Sequence, residues 1–190
     1  MDIIKKCTLI TIFAITIGGV IIFPKSGSSA ENTYSNYLYA MRSGILVHDI
    51  NMLGSSKENG VDFNVELLFQ SPELLECIWA PHPHLGVAIH SQGETNQIYS
   101  GLTWEKLFKN NLFMNIGLGL SLHDGNQVCP DGCHEKELGC ALLFREALEA
   151  GYQLNQHHTL SIIFFHISNA RLCRENDGMN HLGIRYGYSF

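Results

Sequence analysis

The sequence is short of charge: 16% of its 190 residues are Asp, Glu, Lys or Arg, against about 25% in an ordinary soluble domain. Acidic residues outnumber basic ones by 18 to 12, which excludes the basic face that a nucleic-acid binder needs to neutralise phosphates. Prolines number only 5, too few for a collagen-like or proline-rich disordered chain. Beyond the N-terminal segment no apolar run approaches the length of about 20 residues that a membrane-spanning helix needs. Yet 45% of the residues are hydrophobic, so apolar residues are abundant but interrupted. A transmembrane β-barrel has this composition, because lipid-facing and lumen-facing side chains alternate along every strand.

The exception to the interrupted pattern is the N-terminus. Lys5 and Lys6 precede an apolar run from Cys7 to Phe23, and Ser28, Ser29 and Ala30 supply small residues at a cleavage point. This is the layout of a secretory signal, so residues 1–30 are expected to be removed and residues 31–190 to form one exported domain. An uncleaved anchor is the alternative. Export permits disulfides, and five cysteines remain after residue 30: Cys77, Cys129, Cys133, Cys140 and Cys173. The odd number leaves at least one unpaired within a monomer. Cys129, Cys133, His134 and Cys140 admit a zinc reading, but their spacing matches no standard site, and no metal or cofactor is expected.

Eight segments alternate with a period of two. The clearest sets Leu112, Met114, Ile116, Leu118, Leu120 and Leu122 against Phe113, Asn115, Gly117, Gly119 and Ser121; a second sets Val61, Phe63, Val65, Leu67 and Phe69 against Asp62, Asn64, Glu66, Leu68 and Gln70. Successive side chains of a strand point to opposite faces, so each segment has one oily face. The others are expected at Ser43 to Asn51, His84 to Ser91, Asn96 to Glu105, Gly139 to Tyr152, His158 to Ser168 and Asn180 to Phe190. A helical turn is expected around Glu73 to Trp79. The longest polar connections, Asp124 to Leu138 and Asn169 to Met179, follow odd-numbered strands, as outer loops do in a membrane barrel. The last segment carries Leu182, Ile184, Tyr186, Tyr188 and Phe190 on one face and resembles the aromatic-ended final strand of many bacterial outer-membrane barrels. The expected fold is all-β, an eight-stranded antiparallel transmembrane β-barrel.

Two polar residues break the oily stripe of the seventh segment. Leu160, Ile162 and Phe164 are followed in phase by His166 and Ser168, which places an imidazole and a hydroxyl side by side on the lipid-facing surface. Polar groups facing lipid are costly and tend to be functional, and a histidine beside a serine can take its proton to make a nucleophile. The bland alternative puts both at headgroup level, where polarity costs little.

The segment His166-Ile167-Ser168-Asn169-Ala170, followed by Asn176-Asp177-Gly178, resembles the motif of the PagL family of lipid A 3-O-deacylases. Pro83 to Gly86, Tyr99 to Trp104 and Leu143 to Glu146 are similar to strands of that family, so the resemblance spans most of the chain beyond Met41. It implies an outer-membrane barrel that hydrolyses the ester-linked acyl chain at the 3-position of lipid A, with lipopolysaccharide of the outer leaflet as its substrate. It also implies Ser168 as nucleophile, His166 as general base, and Asn169 and Gly178 as oxyanion or substrate-positioning residues.

One position departs from the family. Its Ser-His-Glu triad has a glutamate twelve residues after the serine, where this chain has Asn180. An Asn carbonyl can fix the histidine tautomer, but it supplies no charge for the imidazolium, and replacing a triad carboxylate by its amide costs about 10⁴ in turnover elsewhere. Three readings stay open: Asn180 orients His166 in a retuned enzyme; Glu175 or Asp177 reaches in from the loop; or the chain is a non-catalytic structural or interaction barrel that keeps the fold.

Further residues have structural readings. Arg145 and Glu149 share a parity and are expected to pair inside the lumen, while Glu146 falls on the oily parity with no evident reason. His82, His84, His157 and His158 lie in or near turns and read as solvated. Trp79, Trp104 and the tyrosines of the last segment suit interfacial aromatic girdles. Cys129, Cys133, Cys140 and Cys173 would share the outer side and permit two disulfides, with Cys77 alone opposite.

Overall fold

Alternation of oily and polar side chains produces eight strands: β1 (Leu38–Val47), β2 (Val61–Phe69), β3 (His82–His90), β4 (Gln97–Leu107), β5 (Leu112–His123), β6 (Leu142–Gln153), β7 (His158–Ser168) and β8 (Met179–Ser189). The computed structural model describes residues 37–52, 58–128 and 136–190. The expected signal segment, together with Cys129, Cys133 and His134, lies outside the described residues. Each strand pairs antiparallel with the next, and β1 pairs with β8, so the sheet closes on itself. Closure satisfies every ladder within the sheet and leaves no edge, the condition for strands to cross a bilayer. Strands of 9 to 12 residues have the length of about 9–11 residues that a tilted membrane strand requires.

Several strand ends differ from the alternation pattern, most of all in β1 and β6. The first strand occupies Leu38–Val47 rather than Ser43 to Asn51. A register shift between Leu38 and Ala40 hides its start from a strict period of two, and Asp49 at φ 46° turns the chain out of the sheet at its end. The sixth starts at Leu142 rather than Gly139, because Gly139 sits at φ 77°. The expected turn is a short 3₁₀ helix, Glu73–Ile78, between β2 and β3.

The outward faces are oily: Ile45, Phe63, Ile89, Ile98, Ile116, Leu148, Ile162 and Ile184 are all exposed. The lumen is filled. Arg185 reaches Glu149 at 2.7 Å and Glu66 at 3.0 Å, and Arg42 reaches Glu149 at 3.0 Å and Glu105 at 2.8 Å. Buried charges persist only when paired in this way. The expected Arg145–Glu149 pair is corrected: Glu149 is taken by Arg42 and Arg185, while the Arg145 guanidinium stands 3.9 Å from the Tyr99 ring centroid and 4.4 Å from that of Phe165. Four strands besides β6 supply charge to this layer, so parity within β6 alone could not identify the partners. His84 is likewise no solvated turn residue. It is buried in the lumen against Thr103 at 2.9 Å, because β3 begins two residues earlier than its pattern suggests.

Candidate active site

The lumen is packed, and the expected site residues stand on the outward parity of β7 and β8. β7 rises to Ser168 and β8 descends from Met179, so His166, Ser168 and Asn180 gather at the end from which the Asn169–Gly178 loop projects. His166 pairs with Asn180 across β7 and β8 and with Glu146 across β6 and β7. Ser168 lies one row further out, opposite Phe144. Direct neighbours on one face of an antiparallel pair have Cβ atoms about 4.5–5.5 Å apart, so Glu146, His166 and Asn180 form one continuous row.

The imidazole is fixed on one side. His166 Nδ1–H donates to Asn180 Oδ1 at 2.8 Å. The amide is itself fixed: Asn180 Nδ2 donates to the Ile50 carbonyl at 3.3 Å, while the Ile50 N–H donates to the Asn180 carbonyl at 2.8 Å. Asn180 therefore belongs to the outward parity but is only 2% exposed, covered by the chain after β1. With the proton on Nδ1, the lone pair of Nε2 is left to act as a base. Gly178 makes room for the ring. Its φ is +61°, and a Cβ there would stand 2.9 Å from His166 Cε1.

Asn169 is a strut between loops. Its Nδ2 donates to the carbonyls of Leu138 at 2.9 Å and Glu175 at 2.6 Å, and its backbone N–H donates to Asn176 Oδ1 at 2.8 Å. Its Oδ1 is buried with no hydrogen-bond partner among the described residues. Asp177 is bound to the neighbouring loop: its N–H donates to the Glu137 carbonyl at 3.0 Å and its Oδ2 accepts the Glu137 N–H at 2.9 Å. A disulfide joins Cys140 to Cys173 with Cα atoms 5.9 Å apart, which takes Cys140 out of the zinc reading. Gly139 permits the close approach of the two loops, since a Cβ there would lie 1.9 Å from the Glu175 carbonyl oxygen. The disulfide is one of the pairings that the outer-loop cysteines permitted; the hydrogen-bonded struts from Asn169 and Asp177 to the neighbouring loop had no signal in the sequence.

A second polar cluster fills the outer mouth of the lumen. His48 faces Asp62 at 2.8 Å and Glu58 at 2.9 Å, and His181 reaches Asp62 at 3.0 Å. Burial alone would push the His48 imidazole down. The hydrogen bonds and charges of Asp62 and Glu58 outweigh it and hold His48 at about 9. His48, Asp62 and His90 have the proximity of metal ligands, and a metal there would have to displace the proton that Asp62 and Glu58 hold on His48.

A closed antiparallel barrel with an oily exterior and a polar, packed lumen is a transmembrane β-barrel. The lipid A 3-O-deacylase (PagL) family model matches residues 79–189, and the chain belongs to that family. In fold it is similar to the crystal structure of the outer membrane enzyme PagL, at 16% identity and a TM-score of 0.59, covering 78% of this chain and 99% of that one. Weaker likenesses are to a de novo designed transmembrane β-barrel (10% identity, 80% and 95% covered, TM-score 0.49) and to the Yersinia pestis outer membrane protein Ail (8% identity, 81% and 99% covered, TM-score 0.48). No curated protein matches.

Proposed function

We propose that this barrel is an outer-membrane esterase that removes the 3-position acyl chain of lipid A, with Ser168 as nucleophile, His166 as general base and Asn180 as its orienting partner. Lipopolysaccharide of the outer leaflet is the substrate, reached after export and removal of residues 1–30. The observation that carries the reading is the His166 Nδ1–Asn180 Oδ1 hydrogen bond of 2.8 Å on the lipid-facing side of the barrel, in a chain that belongs to a deacylase family.

The proposed steps are those of a serine esterase. His166 Nε2 takes the Ser168 hydroxyl proton as Oγ attacks the ester carbonyl carbon. The tetrahedral oxyanion collapses, the bond to the sugar oxygen breaks, and the imidazolium returns its proton to that oxygen. Water, deprotonated by the same imidazole, then releases the fatty acid and regenerates Ser168. Phe144 and Leu120, in the row of Ser168, offer an oily wall along which an acyl chain can lie. Asn169 serves the oxyanion by position: its side-chain and backbone donors hold the loop after Ser168, so any N–H offered to the oxyanion is aimed by that strut. Gly178 positions the imidazole by leaving it space. The test is the mass of lipid A after incubation with the purified barrel. Loss of one hydroxyacyl chain, absent with Ser168→Ala, supports the reading, and an unchanged mass with the unaltered protein refutes it.

A further inference from the structure

Asn180 orients His166 but gives the imidazolium no counter-charge. On the opposite side of the same row, Glu146 is the direct cross-strand partner of His166. On the eight strands it is the one carboxylate with outward parity. It is exposed on the lipid-facing surface, and among the described residues no hydrogen bond or ion pair engages its carboxylate. An isolated charge on the lipid face of a barrel is destabilising, so its place in the row of the histidine needs a cause.

We propose that Glu146 is a positioning residue for the deacylation proposed above: it supplies, from β6, the negative charge that the family motif places on β8. The orienting and the charge-supplying roles of a triad acid are then divided between two residues flanking one imidazole, Asn180 for the tautomer and Glu146 for the charge. Across one strand spacing of about 4.8 Å, a glutamate side chain is long enough to set its carboxylate beside the ring. The lipid on the outer face excludes water and strengthens the attraction beyond its value in bulk solvent. The charge acts once the imidazole has taken the serine proton, so it favours the transition state over the ground state. The assignment rests on the esterase reading.

The experiment compares Glu146→Gln, Glu146→Asp and the double variant Glu146→Gln with Asn180→Glu against the unaltered barrel. Two rates are followed: lipid A deacylation in detergent micelles, and covalent labelling of Ser168 by a fluorophosphonate. Glu146→Gln is expected to lower kcat and the labelling rate by about 10²-fold or more, with KM changed by less than about 2-fold. Glu146→Asp should retain most of the activity, and restoring the charge on β8 in the double variant should recover at least about 10-fold. A merely structural glutamate would not be rescued from the opposite strand. Rates for Glu146→Gln within about 2-fold of the unaltered barrel, or no recovery in the double variant, overturn the assignment while leaving the esterase intact. No deacylation and no Ser168 labelling by the unaltered barrel overturn the esterase reading and this assignment together.

Discussion

His166 and Asn180 face one another across β7 and β8, with the imidazole Nδ1 2.8 Å from the amide oxygen and the amide nitrogen held by the Ile50 carbonyl. The amide cannot turn over without losing both bonds, so the tautomer that leaves Nε2 free is built into the chain. Asn180→Leu keeps the outward parity and removes the acceptor. It should reduce kcat by at least about 100-fold with the barrel still folded, which paired measurements of turnover and heat-induced gel shift would check.

Gly178 makes a sterically specific demand. A methyl there meets His166 Cε1 at 2.9 Å in a left-handed backbone that disfavours any side chain. Gly178→Ala should displace the ring and cost at least about 10-fold in kcat, with a smaller loss in Gly178→Ala than in His166→Ala. Equal activity of Gly178→Ala and the unaltered protein would show that the ring needs no such clearance.

The alternation of β5 and β7, the terminal strand and the placement of His166, Ser168 and Asn180 were legible in the sequence because a period of two records which face each residue takes. What that period omits is the neighbour. Asn180 looks outward by parity, yet Ile50 from 130 positions away covers it. Glu146 looked anomalous because nothing in β6 tells that its row contains His166. Arg145 and Glu149 shared a face without being partners, since the lumen draws charge from β1, β2, β4 and β8 as well. The pairing of Cys140 with Cys173 was one of several connectivities until the loops were placed.

That disulfide spans a sequence separation of 33 and ties the loop after Ser168 to the start of β6. Its entropic contribution to stability is about 3–4 kcal/mol on the loop-closure model. Cys173→Ser should lower the unfolding midpoint in denaturant and make the chain near Arg171 and Arg174 more susceptible to trypsin, while β-structure measured by circular dichroism is retained.

The lumen network should be intolerant of losing one member. Glu149 receives Arg42, Arg185 and the Ser161 hydroxyl, the last at 2.6 Å, so Glu149→Leu leaves two buried guanidinium groups short of charge. A loss of about 3–5 kcal/mol is expected, read as a shift in the urea midpoint. A neutral effect would mean that Glu66 and Glu105 suffice for both arginines.

The outer mouth should respond to pH through His48. Its imidazole, raised from 6.5 to about 9, binds its proton more tightly folded than unfolded, so its stabilising effect is full below 6.5 and lost as pH rises through about 9. Glu58 runs the other way. Burial opposes its charge, but hydrogen bonds from His48, Thr95 and the Lys136 N–H, with the His48 charge, together outweigh that and lower it, so its contribution is present above its ordinary value of 4.5 and fades as pH falls below it. The groups facing His48 also include Asp62 and the rings of His90 and His181. Melting temperatures of the unaltered barrel and His48→Gln should therefore differ most between about pH 5 and 6.5, approach one another above that and converge above about pH 9.

The proposed reaction is cleavage of an acyl ester by a serine on the lipid-facing side of a packed barrel. Its most direct test is mass spectrometry of lipid A after incubation with the purified protein and with Ser168→Ala. Loss of one hydroxyacyl chain is expected with the first and none with the second. An unchanged lipid A mass with the unaltered protein, or the same loss with Ser168→Ala, would contradict it.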